Sequence, residues 1–108
     1  MDLELKGKRA VITGGSIGIG LAVAKALAAE GVEIAILARD AGRVQREAEG
    51  IAKSHGVRAL GISADMSKPA DIEEASRRIA AAFDGIDILI NNAGTGTAET
   101  IMEAPDSK

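Results

Sequence analysis

The sequence predicts an α/β protein built on a parallel sheet. Three observations carry this expectation. Short apolar runs alternate with longer segments of helical periodicity three times, and a fourth apolar run follows. The runs are unbroken rather than alternating, as strands covered on both faces are. Glycine or proline stands at most of the junctions between them.

The first run, Arg9-Ala10-Val11-Ile12-Thr13, lies between Gly7 and Gly14-Gly15 and reads as a buried strand. From Gly18 to Glu30 the pattern turns helical, with Leu21, Val23, Ala24, Leu27 and Ala28 on the apolar side and Gly31 as the stop. Ile34 to Ala38 is the second strand. Asp40 is placed to cap a second helix through about Ser54, with Val44, Ala48, Ile51 and Ala52 on its stripe and Gly56 ending it. Arg58 to Ile62 is the third strand. Pro69 suits the first turn of a third helix, which runs to about Phe83 with Ile72, Ala75, Ile79 and Phe83 on its stripe, and Gly85 ends it. Ile86 to Ile90 is the fourth strand. Asn91 to Lys108 reads as a loop with a short helix around Glu99–Glu103.

Right-handed crossovers turn this order into a topology. Stepping from strand one to two to three in one direction puts the first two helices on one face. Returning strand four beside strand one puts the third helix on the other. The expected strand order is therefore 3-2-1-4, a doubly wound Rossmann-type sheet cut short. Its crevice lies between strands one and four at their carboxyl ends, where open α/β sheets bind ligands.

Composition narrows the function. The chain has 108 residues, one aromatic (Phe83), and no Cys, Tyr or Trp. That length fits one domain, and a cysteine-free chain has no disulfide, thiolate zinc site or thiol nucleophile. A net charge of −3 argues against a nucleic-acid partner. No apolar run reaches the ~20 residues of a membrane span, and Met1 to Lys6 lacks an apolar signal core. The expectation is a cytoplasmic protein with neither nucleic-acid nor membrane partners.

Four places carry chemistry. Thr13-Gly14-Gly15-Ser16-Ile17-Gly18-Ile19-Gly20 joins the first strand to the first helix. Gly14 suits a sharp turn, Gly18 leaves room for a pyrophosphate at the helix N-terminus, and Gly20 lets the helix approach the sheet. The plainer alternative is a glycine-rich turn. Ala38-Arg39-Asp40 ends the second strand, where a site for NAD places an acid; Arg39 there suits the 2′-phosphate of NADP instead. Alternatively, Arg39 is simply solvated, and Asp40 a helix cap. Asp65-Met66 follows the third strand, and Asp65 suits either an adenine amino group or a turn. Asn91-Asn92-Ala93-Gly94 follows the fourth strand, at the crevice or as a polar turn.

Taken together, Thr-Gly-x-x-x-Gly-x-Gly at Thr13 to Gly20, Asp65, and Asn-Asn-Ala-Gly at Asn91 to Gly94 resemble the short-chain dehydrogenase/reductase family. The resemblance covers essentially the whole chain. It implies an NAD(P)-dependent oxidoreductase that interconverts small alcohols and ketones by hydride transfer, and a homo-oligomer at full length. Residues Gly14, Gly15, Ser16, Ile17, Gly18 and Ile19 would hold the pyrophosphate and adenosine ribose. Gly20 completes the motif, Arg39 would hold the 2′-phosphate, and Asp65 with the Met66 backbone the adenine. Asn92, Ala93 and Gly94 would line the ribose region. NADP is expected ahead of NAD, although Ile17 stands where many NADP-preferring relatives carry a basic residue.

The family's catalytic group is a Tyr, a Lys four residues later, a Ser and an Asn, all beyond Asn-Asn-Ala-Gly. None of them matches a position here, so no residue is assigned as catalytic, and no metal site is expected. The chain reads as the cofactor-binding first half of such an enzyme. The competing expectation is a non-catalytic nucleotide-binding module, or a half-domain completed by another chain. His55, the only histidine, is expected on the surface at a helix end.

Overall fold

A computed structural model describes residues 5–14 and 18–92. Its elements are β1 (Arg9–Thr13), α1 (Gly18–Ala29), β2 (Glu33–Ala38), α2 (Ala41–His55), β3 (Ala59–Ser63), α3 (Pro69–Ala82) and β4 (Ile88–Asn91). The strands form one parallel sheet in the order β3-β2-β1-β4. This is the expected doubly wound arrangement.

Successive side chains of a strand point to opposite faces, and β1 supplies both cores of the molecule. Ala10 and Ile12 join α1 and α2 on one face, with Ile34 and Ile36 of β2. Val11 joins α3 on the other, with Ala35, Leu37 and Ile62. The first two helices thus share a face and the third lies opposite. Ile12, Ile34 and Ile36 are wholly buried; each such side chain stabilises the fold by roughly 1.5–3 kcal/mol.

Small residues set how closely the helices sit. The buried line of α1 is Gly20, Ala24 and Ala28, at four-residue spacing. Leu21, Val23 and Leu27, expected on the same apolar face, flank that line and are only half-buried. On β3, a Cβ at Gly61 would lie 2.6 Å from the Val44 carbonyl oxygen and 3.2 Å from the Ala48 Cβ. Glycine there lets the α2 backbone rest on the strand. Asp40 caps α2 by accepting from the Arg43 N–H at 3.0 Å. Gly56 closes the helix in the left-handed conformation, its N–H donating to the Ala52 carbonyl.

Three expectations change. The third helix ends about where expected, at Ala82, but its cap is Phe83 in extended backbone rather than Gly85. The Phe83 N–H donates to the Ile79 carbonyl at 2.7 Å, and its ring is buried beneath the Arg58 guanidinium, 5.7 Å from the ring centroid. Arg58 also donates to the Ala82 carbonyl. The strand β4 begins at Ile88, because Asp87 instead braces the start of β1. Its carboxylate accepts from the Arg9 N–H at 2.9 Å, and its own N–H donates to the Arg9 carbonyl at 2.8 Å. Finally, Ile72, Ile86 and Leu89 are 38%, 52% and 59% exposed. They border a groove of about 500 Å³ beside α3, floored by Val11. The β4 side of this face is therefore less covered than a strand buried on both sides.

Candidate functional site

The chain leaves β1 through a turn that only glycine adopts readily. Gly14 has φ +69°, in the left-handed region, and its N–H donates to the Leu37 carbonyl of β2 at 2.6 Å. The helix α1 opens at Gly18, φ +61°, where a Cβ would meet nothing within 4 Å among the described residues. Gly20 is the opposite case. A Cβ there would lie 2.5 Å from the Gly14 carbonyl oxygen and 2.9 Å from Asn92 Nδ2. Gly20 is therefore the point where the first helix, the turn after β1 and the end of β4 converge. The first turn of α1 carries no acidic side chain, so its positive dipole end has no internal counter-charge there. Ile19, one residue into the helix, is 74% exposed.

The carboxyl ends of β1 and β4 are joined through Thr13, which is 3% exposed. Its hydroxyl donates to Asn91 Oδ1 at 2.9 Å and accepts from the Asn92 N–H at 3.0 Å. The same N–H reaches the Thr13 carbonyl at 3.1 Å. These bonds fix the backbone on which Asn92 departs from the sheet. Sequence reasoning assigns neither Thr13 nor Asn91 to the cofactor site. A threonine ending a buried strand, paired across the switch point with a polar residue ending another, is the signal that marks them.

A second cluster forms where β2 and β3 end. Arg39 is exposed, and its guanidinium forms no salt bridge among the described residues. Its carbonyl accepts from the Ser63 hydroxyl at 3.0 Å. Beside that bond, the Ala64 N–H donates to the Ala38 carbonyl at 2.9 Å and extends the β2–β3 pairing. Asp65 forms a turn. Its Oδ1 accepts from the Ser67 N–H at 3.0 Å and the Ser67 hydroxyl at 2.7 Å, while its N–H donates to Asp71 Oδ2 at 2.8 Å. The Ser67 hydroxyl and amide hold the Asp65 carboxyl below its usual range, against a small desolvation penalty, with Lys68 and Arg39 adding positive charge nearby. Met66 is half-buried and packs against the α3 core.

The structure brings Gly14, Gly20 and Asn92 together at the crevice between β1 and β4, and Gly18 opens the helix that carries Gly20. Arg39 and Asp65 stand at the ends of the next strands along the sheet, on the same carboxyl edge. Ser16 and Ile17, with Gly15, Ala93 and Gly94, lie outside the described residues. His55 is exposed at the last position of α2, as expected. No helix among the described residues is long and apolar enough to cross a membrane. These residues also include no group of three His, Asp or Glu that could hold a metal.

Known proteins share both the sequence pattern and the fold. Residues 8–108 match the model of the short chain dehydrogenase family. A 3-oxoacyl-[acyl-carrier-protein] reductase of Aquifex aeolicus is 39% identical over 94 residues, covering 87% of this chain and 38% of that protein. A D-beta-hydroxybutyrate dehydrogenase of Cupriavidus necator is 40% identical over 107 residues, covering 96% and 40%. The chain thus spans about two fifths of the length of the curated relatives it matches. Among solved structures, L-sorbose reductase from Gluconobacter frateurii, complexed with NADPH and L-sorbose, superposes with a TM-score of 0.85 at 45% identity, covering 99% of this chain and 41% of that one. A short chain dehydrogenase from Burkholderia cenocepacia in complex with NADP gives a TM-score of 0.76 at 50% identity, covering 84% and 37%. With the order β3-β2-β1-β4, the glycine turn at the switch point and a family match over nearly its whole length, this chain belongs to the short-chain dehydrogenase family.

Proposed function

We propose that these 108 residues are a single, incomplete dinucleotide-binding domain, the cofactor half of an oxidoreductase that binds NADP(H) in preference to NAD(H). The observation that carries the proposal is the pairing of two features on one sheet edge. One is the helix start at Gly18, where an added Cβ would meet nothing within 4 Å among the described residues; the other is an exposed Arg39 that forms no salt bridge among those residues. The donor set fits the cofactor. The start of α1 favours a pyrophosphate, and a guanidinium matches a phosphate with paired hydrogen bonds. The exposed Ile19 offers an apolar contact beside the turn.

In this reading Gly14, Gly15, Ser16, Ile17, Gly18 and Ile19 hold the pyrophosphate and adenosine ribose, and Gly20 keeps the helix close. Arg39 holds the 2′-phosphate. Asp65 and the Met66 backbone meet the adenine, with Asp65 Oδ1 already engaged by Ser67. Asn92, Ala93 and Gly94 line the ribose region. The NADPH and NADP bound by the sorbose reductase and the Burkholderia enzyme support the cofactor choice. An NAD+-bound xylitol dehydrogenase, with a TM-score of 0.80 at 30% identity, makes NAD the competing cofactor.

When bound, the nicotinamide supplies or accepts a hydride at C4. The intact protein would use it to interconvert a small alcohol and ketone, as a cytoplasmic homo-oligomer. This chain has no tyrosine, the residue that handles the substrate proton in the family's catalytic group. Its proposed task is therefore to hold the cofactor, and hydride transfer by the 108-residue chain alone is expected to be absent. Equilibrium dialysis of the intact protein against NADPH tests the proposal. Saturable binding is expected, and failure to bind any nicotinamide dinucleotide would overturn it.

A further inference from the structure

We propose that Ser63 is a positioning residue for recognition of the cofactor 2′-phosphate, acting through the backbone of Arg39. The inference rests on the NADP reading above and names a determinant of that preference outside the glycine turn and outside the residues assigned to the cofactor.

Arg39 sits between two anchored stretches of chain. It follows the last residue of β2, and the next residue, Asp40, is already the cap of α2. The ladder between β2 and β3 runs as far as Ala38 opposite Ser63, with the Ala64 N–H donating to the Ala38 carbonyl. Asp40 is held on the other side by its bond to the Arg43 N–H and by the Val44 N–H, which donates to the Asp40 carbonyl at 2.9 Å. Between these two fixed points, the Arg39 carbonyl accepts a side-chain hydrogen bond from the Ser63 hydroxyl at 3.0 Å. The bond is long-range, linking residues 24 apart in sequence.

A flexible arginine loses rotamer freedom on gripping a phosphate. Orienting its peptide unit beforehand limits the arc through which the guanidinium swings, so part of that loss is met before the ligand arrives. Ser63 has the chemistry for this and little else. It is exposed at the end of β3, and a hydroxyl there makes no apolar contact that a core would need. Its effect should appear only where Arg39 has a phosphate to hold. NADPH binding should depend on Ser63 and NADH binding should not.

The test is calorimetric titration of the intact protein with NADPH and with NADH. Four variants accompany the wild type: Ser63→Ala, Ser63→Thr, Arg39→Ala and the Ser63→Ala/Arg39→Ala pair. Ser63→Ala is expected to weaken NADPH about threefold to tenfold, the range of one net hydrogen bond. NADH should be unchanged within about twofold. Ser63→Thr, which keeps the hydroxyl, should retain the wild-type preference. In the Arg39→Ala background, Ser63→Ala should have no further effect. Equal losses for NADPH and NADH would overturn the proposal, as would an unchanged NADPH affinity in Ser63→Ala when Arg39→Ala loses it. A wild-type protein without preference for NADPH would remove the reading beneath the proposal, and the proposal with it.

Discussion

The Thr13 hydroxyl donates to Asn91 Oδ1 at 2.9 Å, across the two strands that border the switch point. The two residues are 78 apart in sequence and pair directly in the β1–β4 register. The bond ties the end of the fourth strand to the turn that opens the first helix. Thr13→Val removes it, along with one acceptor of the Asn92 N–H, while conserving shape. With Thr13 only 3% exposed, the expected loss is about 1–3 kcal/mol. Urea unfolding reads this, and Thr13→Ser should restore most of it. An unchanged midpoint in Thr13→Val would mean that the bond carries no net stability.

Gly20→Ala should be the most damaging substitution in the glycine turn. Its Cβ would lie 2.5 Å from the Gly14 carbonyl oxygen, which is backbone and cannot rotate away. A loss of about 1–3 kcal/mol is expected, with weaker dinucleotide binding as the turn shifts. Gly50→Ala serves as the control. Gly50 is an exposed position inside α2 with nothing within 4 Å of the added methyl, so a gain of roughly 0.5–1 kcal/mol follows from helix propensity. Thermal unfolding of both variants separates close packing from propensity.

Gly61→Ala tests the seating of α2 on β3. The added methyl would meet the Val44 carbonyl oxygen at 2.6 Å and the Ala48 Cβ at 3.2 Å. The helix must lift, at an expected cost of about 1–3 kcal/mol. Chemical denaturation measures this, and a neutral result would place α2 farther from the sheet than described.

Much of this architecture is legible in the sequence, and the reasons are physical. Unbroken apolar runs and helical stripes mark seven elements, and crossover handedness yields their order and faces. Contacts between residues distant in the chain are not legible. Nothing local to Ile86-Asp87 announces that Asp87 braces Arg9, so the apolar run places the start of the strand too early. Leu21 and Leu27 outrank Gly20 and Ala24 in hydrophobicity, yet close approach to the sheet puts the small residues deepest. At the site, the glycine spacing points to the turn. Thr13 with Asn91 and Ser63 with Arg39 are cross-strand pairs, visible only once the strands are placed.

Acid should weaken the fold through two carboxylates. Asp87 is held below its usual range chiefly by the Arg9 N–H, and Asp65 chiefly by the Ser67 hydroxyl. Asp87 is also drawn down by the Arg9 and Lys8 charges, and Asp65 by Lys68 and Arg39. A lowered folded-state value means that the unfolded chain binds protons first as pH falls. The stabilisation is therefore fully present above the unfolded carboxylate value, about pH 4, and is lost as pH drops through the lower folded values. Urea midpoints measured from about pH 6 down to about pH 2 should fall, and Asp87→Asn should fall less steeply than the wild type. Parallel profiles would exclude a contribution from Asp87.

Arg39 is the residue on which the cofactor reading turns, because in that reading its guanidinium holds the 2′-phosphate. Calorimetric titration of the intact protein with NADPH and NADH, repeated on Arg39→Asp, tests this most directly. Tighter binding of NADPH by the wild type is predicted, with a reversed order in the variant, where the introduced carboxylate repels the phosphate and accepts from a ribose hydroxyl. Equal or tighter binding of NADH by the wild type would contradict it.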